Sequence, residues 1–291
     1  MSVSSSPEPR TNDAAALTPR ARADRARKER PRRELLVEHV FGPLARGLVV
    51  VLIPLRVAPA AVVLANTAAG LAGAAAVWRG DLIVGALLLQ LKTLLDNADG
   101  QLARASGRTS TLGRYLDTEA DLVVNIAVFA ALGHVTGLPW LALAALVGLT
   151  LVLSVDVNLE ALYREARGEE FRPPPDRVDR GVLTSLLAGV YRVVFGWQDT
   201  AVRSLAERRL ARVLVGVTDP VARREAVLAY HDGGTVAVLV NLGLSTQLAV
   251  LGACLVLSSA SLYLGLVLGS AALVPLLWLR REHRARAAVP G

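Results

Sequence analysis

The feature that most constrains this chain is a series of apolar runs, each close to the length of a membrane crossing, joined by short links. They cover residues 58–77, a stretch from near Leu82 into a group of aspartates, a stretch from Gly113 to Gly133, then 138–159, 235–257 and 261–279. A helix needs about 20 residues to cross the hydrocarbon of a bilayer. Backbone polar groups there must be satisfied within the segment, which favours helices. The predicted fold class is therefore all-α, a polytopic membrane protein with six transmembrane helices. A content of 53% hydrophobic residues in 291 agrees with this, since a soluble domain of that size does not need so much.

The formal net charge of +7 invites a nucleic-acid reading, but the arginines lie between apolar runs, as in loops that face anionic lipid. No aromatic residues or binding motif accompany them, so no nucleic-acid partner is expected. The links "WRGD", "HVTGLP" and "SSAS" carry almost no positive charge. The N-terminal segment, the "RASGRTSTLGR" loop, the polar break after the fourth run and "RREHRARAA" carry nearly all of it. The positive-inside rule then places both termini and the aspartate-bearing loop in the cytoplasm of a cell-membrane protein, which an even number of spans allows. Cys254 is read as a small core hydrophobe.

The expected organisation is a disordered basic tail over 1–33, without a signal peptide, and an interfacial helix over 34–57 that mixes apolar residues with Glu38, Arg46, Pro54 and Arg56. The membrane domain occupies 58–161 and 233–281. A cytoplasmic helical insertion spans 162–232, and a basic C-terminal tail 282–291. Within the insertion, Asp219 and Pro220 mark the cap and first turn of a helix. The insertion carries no motif of its own, so it is expected to dock on the membrane or the bundle while the chemistry resides in the six helices.

The second and third runs meet at "DNADGQLARASGRTSTLGRYLDTEAD". Asp96 and Asp99 are three apart and Asp117 and Asp121 four apart, so each pair shares a helical face. A short loop makes the two helices antiparallel neighbours, and four carboxylates converge. Alone they would repel. Divalent cations resolve the conflict, and all-oxygen ligation selects Mg2+ or Mn2+. Two such ions sharing aspartates form a centre for phosphoryl chemistry. Gly100 lets a bulky group approach, and Arg104 carries a planar fork suited to phosphate. The helix dipole would account for solvated carboxylates at Asp117 and Asp121, but it disfavours Asp96 and Asp99 at a helix C-terminus.

The pattern D-x-x-D-G-x-x-A-R-x8-G-x-x-x-D-x-x-x-D resembles the signature of the CDP-alcohol phosphotransferase family, matched at Asp96, Asp99, Gly100, Ala103, Arg104, Gly113, Asp117 and Asp121. The six-helix layout is similar as well, so the resemblance extends over about 58 to 280. It implies a CDP-linked donor, typically CDP-diacylglycerol, a small acceptor alcohol that attacks phosphorus, and release of CMP in phospholipid biosynthesis. It further implies that Asp96, Asp99 and Asp117 ligate two divalent metals. Asp121 is implied as the general base that also touches the second metal, and Gly100, Arg104 and Ser110 as donor-binding positions. A homodimer in membrane lipid is implied too. One departure stands out: where many members have Pro-Asn-x-x-Thr at the start of helix one, this chain has "PAAVV", with Asn66 and Thr67 a turn later.

Other polar residues carry weaker signals. Lys92 is read as snorkelling to headgroups, with phosphate binding as the alternative. Asp156, Asn158 and Glu160 are either an acceptor pocket or a solvated helix end. Asn241 and Gln247 are read as interhelical glue. His134 and Trp140 are read as residues of the opposite interface. Two other functions compete with the transferase: a cation transporter, which would need polar positions through the whole membrane, and an inactive scaffold, against which the intact motif argues.

Overall fold

The computed structural model describes residues 18–26, 31–171 and 174–289. Their regular elements are helices, and no strand forms among them apart from one isolated bridge between Ser110 and Arg177. The helices are α1 (Pro19–Arg25), α2 (Gly42–Leu52), α3 (Pro59–Trp78), α4 (Leu82–Ala105), α5 (Thr111–Thr136), α6 (Pro139–Glu165), α7 (Val182–Tyr191), α8 (Trp197–Val213), α9 (Pro220–Tyr230), α10 (Gly233–Val240), α11 (Leu244–Val256) and α12 (Ala260–Ala287). Local chemistry sets their ends. Pro59, Pro139 and Pro220 stand in first turns, where a missing N–H costs nothing. Asp219 Oδ2 accepts from Ala222 N at 2.8 Å and caps α9, as its position in the sequence predicts. Gly137 stops α5 in the left-handed region, at φ 68°.

Helices α3, α4 and α5 form the centre of the bundle. Helix α11 lies on α4, and α12 on α6. One apolar core runs through these six, with Val77, Leu89, Val124, Leu149, Leu251 and Leu264 buried. The outer faces are apolar too: Leu64, Leu87, Ile126, Val147, Leu266 and Leu276 are exposed. A helix that is apolar on both its packed and its open faces suits lipid as its solvent. At the end of the bundle away from the aspartates, Trp78 stacks on His134 with ring centroids 4.1 Å apart, and Trp140 is exposed beside it in the sequence.

Five described stretches are long and apolar enough to cross a membrane: Pro59–Trp78, Thr111–Thr136, Pro139–Glu165, Pro220–Val256 and Ala260–Ala287. The protein is thus an all-α polytopic membrane protein. The second of the six expected crossings, α4, is not among the five; Lys92, Asp96 and Asp99 stand inside it.

Several boundaries differ from expectation. Of the tail expected to be disordered, Pro19–Arg25 is helical and buries Ala23 against α2 and α4, while 1–17 and 27–30 lie outside the described residues. The 34–57 segment opens with a π-helical turn, Val37–Phe41, and its helix ends at Leu52. The run 235–257 is two helices, broken at residues 241–243. Asn241 Nδ2 donates to Arg33 O at 3.0 Å, and its Oδ1 accepts from Leu35 N at 2.9 Å. Gln247 Nε2 reaches Leu242 O at 3.4 Å. Both residues therefore serve the break, and Asn241 joins it to the N-terminal segment. Helix α12 continues to Ala287 and takes in most of the expected basic tail.

The insertion is packed against the bundle. Helix α7 lies on α5, α8 on α6 and α12, and α9 on α12. A second core joins Val155, Leu159, Val202, Ala206, Tyr230 and Trp278. Asp156, Asn158 and Glu160 are buried, so they are not a solvated helix end. Asn158 Nδ2 donates to Asp199 Oδ1 at 2.7 Å, Ser154 Oγ to the same oxygen at 2.8 Å, and Tyr191 OH to Asp199 Oδ2 at 2.7 Å. This network holds α8 to α6, because a buried polar group left unbonded would be costly.

Candidate metal and donor site

The C-terminal half of α4 and the first turns of α5 bring the motif together. Ligand oxygens of Asp96, Asp99 and Asp117 lie within 4.8 Å of one another. Asp99 is buried and Asp96 half-buried. Asp117 Oδ1 is buried and has no hydrogen-bond partner. The spacing of three on α4 and the antiparallel return of α5 produce this convergence directly. Asp121, one turn beyond Asp117, is held differently. Lys92 Nζ donates to Asp121 Oδ1 at 2.5 Å and to Asp96 Oδ1 at 3.0 Å, and so links the fourth carboxylate to the first three.

Lys92 is fully buried among these carboxylates, which corrects the expectation that it snorkels to the headgroups. Its ammonium is in effect the cluster's internal counter-ion. A buried charge survives only when paired, and the bundle makes room for this one. A Cβ at Gly70 would stand 3.2 Å from Lys92 Cγ and 2.6 Å from Val124 Cγ1. Asn66 is the residue that the motif did not reveal. It is buried on α3, and its Nδ2 donates to Asp96 Oδ1 at 3.3 Å and to Asp99 Oδ2 at 3.2 Å. It supplies a polar contact from helix one despite the absent Pro-Asn-x-x-Thr. The available signal was its place as a lone amide in an apolar run, a turn after that motif's position.

The expected donor-binding residues make local contacts. Arg104 Nε donates to Ala26 O at 2.7 Å, at the end of α1. Its guanidinium crosses Gly100, where an added Cβ would meet Arg104 Nη1 at 3.2 Å, so the glycine makes room for the arginine. Ser110 is the N-cap of α5, and its Oγ accepts from Gly113 N at 2.9 Å. Among the described residues no other group of three acidic, histidine or cysteine side chains has metal-ligand spacing.

The donor set is suited to a hard divalent cation. It is all carboxylate, converges from two helices, retains an unpartnered buried oxygen on Asp117, and has four negative groups against one ammonium. An all-helical membrane bundle with a carboxylate cluster at the junction of two antiparallel helices is an arrangement that can hold divalent cations beside a phosphate group. The comparisons give the family: residues 56–202, half of the chain, match the CDP-alcohol phosphatidyltransferase model, and the chain belongs to that family. The match runs from the start of α3 into α8 and stops short of the residue 280 expected from the helix layout.

Among similar proteins, the phosphatidylinositol phosphate synthase of Streptomyces avermitilis is 33% identical over 142 residues, covering 46% of this chain and 57% of that protein. The archaetidylinositol phosphate synthase of Aeropyrum pernix is 33% identical over 133 residues, covering 45% of this chain and 63% of that protein. The bifunctional IPC transferase and DIPP synthase of Thermococcus kodakarensis is 36% identical over 114 residues, covering 37% of this chain and 26% of that protein. The chain thus spans less than two thirds of the length of each of these relatives. No solved structure matches.

Proposed function

We propose that the protein is an integral-membrane transferase that moves a substituted phosphate from a CDP-linked lipid, of the CDP-diacylglycerol type, to an acceptor alcohol and releases CMP. The observation that carries this reading is the convergence of Asp96, Asp99 and Asp117 beside the Lys92–Asp121 pair. Asp96, Asp99 and Asp117 would hold the divalent ions, Mg2+ or Mn2+, with Asp121 beside them. When bound, such ions neutralise a pyrophosphate and favour departure of the nucleotide. Asp121 takes the proton of the acceptor hydroxyl at its carboxylate, and Lys92 holds that carboxylate in place. Asn66 orients Asp96 and Asp99 through its amide. Arg104, once it leaves the Ala26 carbonyl, offers the donor a bidentate phosphate contact.

The acceptor we propose is a phosphorylated polyol. The names of the Streptomyces and Aeropyrum relatives support it. Helix α4 would be the sixth crossing: its 24 residues reach about 36 Å, at 1.5 Å per residue, and Lys92 and Asp99 are buried within the bundle. Six crossings put both termini on the arginine-rich, cytoplasmic side with the carboxylates.

The test is CMP release from CDP-diacylglycerol by the purified protein with Mg2+ or Mn2+, screened over inositol phosphate, glycerol phosphate and unphosphorylated alcohols. Release that depends on metal and is greatest with a phosphorylated acceptor is expected. Undiminished release in excess EDTA would rule out the metal centre, and a preference for unphosphorylated alcohols would rule out the acceptor class.

A further inference from the structure

The loop between α4 and α5 is clasped by the insertion. Residues 174–181 run alongside it as an extended strap. Arg177 N donates to Thr109 O at 3.0 Å, and Thr111 N donates to Arg177 O at 3.1 Å. The Asp176 carboxylate accepts from Thr109 N at 2.9 Å and from Thr109 Oγ1 at 2.7 Å. Asp179 Oδ2 accepts from Leu112 N at 3.2 Å. The first turn of a helix leaves N–H groups that need partners from elsewhere. In α5 the Gly113 N–H is taken locally by Ser110, but those of Thr111 and Leu112 are taken by the strap. The carboxylate of Asp179 also sits where the helix dipole favours negative charge. One turn further along α5, Tyr115 packs edge-on against Tyr191 of α7 at 5.9 Å, so the insertion grips α5 at two successive levels. Asp117 lies two residues further on.

We propose that Asp176 and Asp179 are positioning residues for the carboxylate centre: the strap fixes the first turn of α5, and through it sets Asp117 against Asp96 and Asp99. This inference rests on the transferase reading of the centre and deepens it. It refines the expectation that the insertion docks on the membrane or the bundle while the chemistry resides in the six helices. The insertion contributes no ligand; it holds the start of the helix that does. A carboxylate that must meet two others within 4.8 Å tolerates little rotation of its helix, and outer partners that orient metal ligands carry about 10–100-fold of affinity or activity.

The experiment uses the full chain in lipid nanodiscs and compares Asp176→Ala/Asp179→Ala with Asp176→Asn/Asp179→Asn, which keeps an acceptor oxygen at each position. Three quantities are measured: amide hydrogen exchange at residues 109–112, Mn2+ binding by electron paramagnetic resonance, and kcat and KM for CMP release. In the alanine pair, exchange accelerates, Mn2+ affinity and kcat each fall about tenfold or more, and the KM for the acceptor stays put. The asparagine pair restores all three. Faster exchange with parental Mn2+ affinity and kcat would reduce the strap to a structural tie and overturn the proposal. If the alanine pair does not fold, Thr109→Val, which removes the two hydroxyl bonds to Asp176 and leaves the backbone bonds of the strap, is expected to shift Mn2+ affinity and kcat in the same direction by a smaller factor. No shift in either would overturn the proposal equally. A parent protein that binds Mn2+ but releases no CMP would refute the transferase reading, and the Mn2+ and exchange measurements would still decide the role of the strap.

Discussion

At the scale of residues, the centre is a balance of charge. Lys92, itself fully buried, pairs with the partly buried Asp96 and Asp121. Lys92→Met removes the counter-ion and leaves the carboxylates to repel one another; breaking a buried pair from one side costs about 3–5 kcal/mol. Thermal unfolding should show that loss in EDTA and a partial recovery in Mg2+, because the metal supplies positive charge at the same place. An equal loss in both conditions would mean that the cluster does not take up metal. Asp121→Asn keeps size and loses basicity. It should bind donor as the parent does and lose activity by about 100-fold or more, the scale of general-base catalysis; near-parental turnover would remove Asp121 from that role. The aspartates were legible in the sequence because two pairs at helical spacing across a short loop can only converge. Asn66 was not, because a single polar residue in an apolar helix has no spacing partner to reveal where it points.

At the scale of elements, α3 and α5 approach closely enough that Gly70 has no room for a side chain. Gly70→Ala forces Val124 or the Lys92 stem to move. It should lower stability by about 1–3 kcal/mol, as overpacking does, and lower activity through Lys92. Unfolding in detergent and CMP release check the two effects, and an unchanged melting curve would contradict the packing described. Helix ends with local causes, such as Asp219 and Pro220 at α9, were readable in advance. The strap was not: Asp176 and Asp179 lie in a proline-rich linker, and their partners are 67 residues away. Nor was the break between α10 and α11. Asn241, Gly243, Ser245 and Gln247 interrupt the apolar run there, but nothing in the sequence says that Asn241 bonds the remote backbone of Arg33 and Leu35.

At the scale of the whole molecule, the bundle, the insertion and the N-terminal segment are one packed body. The alternation of charged and uncharged links made the membrane class legible, because apolar runs of this length have few other uses. The orientation proposed from the arginines is tested by labelling. The native Cys254 is buried, so Ser110→Cys supplies the reactive thiol; an impermeant maleimide should reach it in opened membranes but not in intact cells. Labelling of intact cells would invert the topology. The bonds from Asn241 to Arg33 and Leu35 set an order on synthesis: they join residues 206 and 208 positions apart. The N-terminal segment emerges from the ribosome first and can pack on α4, but these two bonds must wait until α10 has followed α3 through α9 out of the translation machinery. A chain truncated before residue 241 lacks both bonds, so their formation reports that synthesis has passed this point.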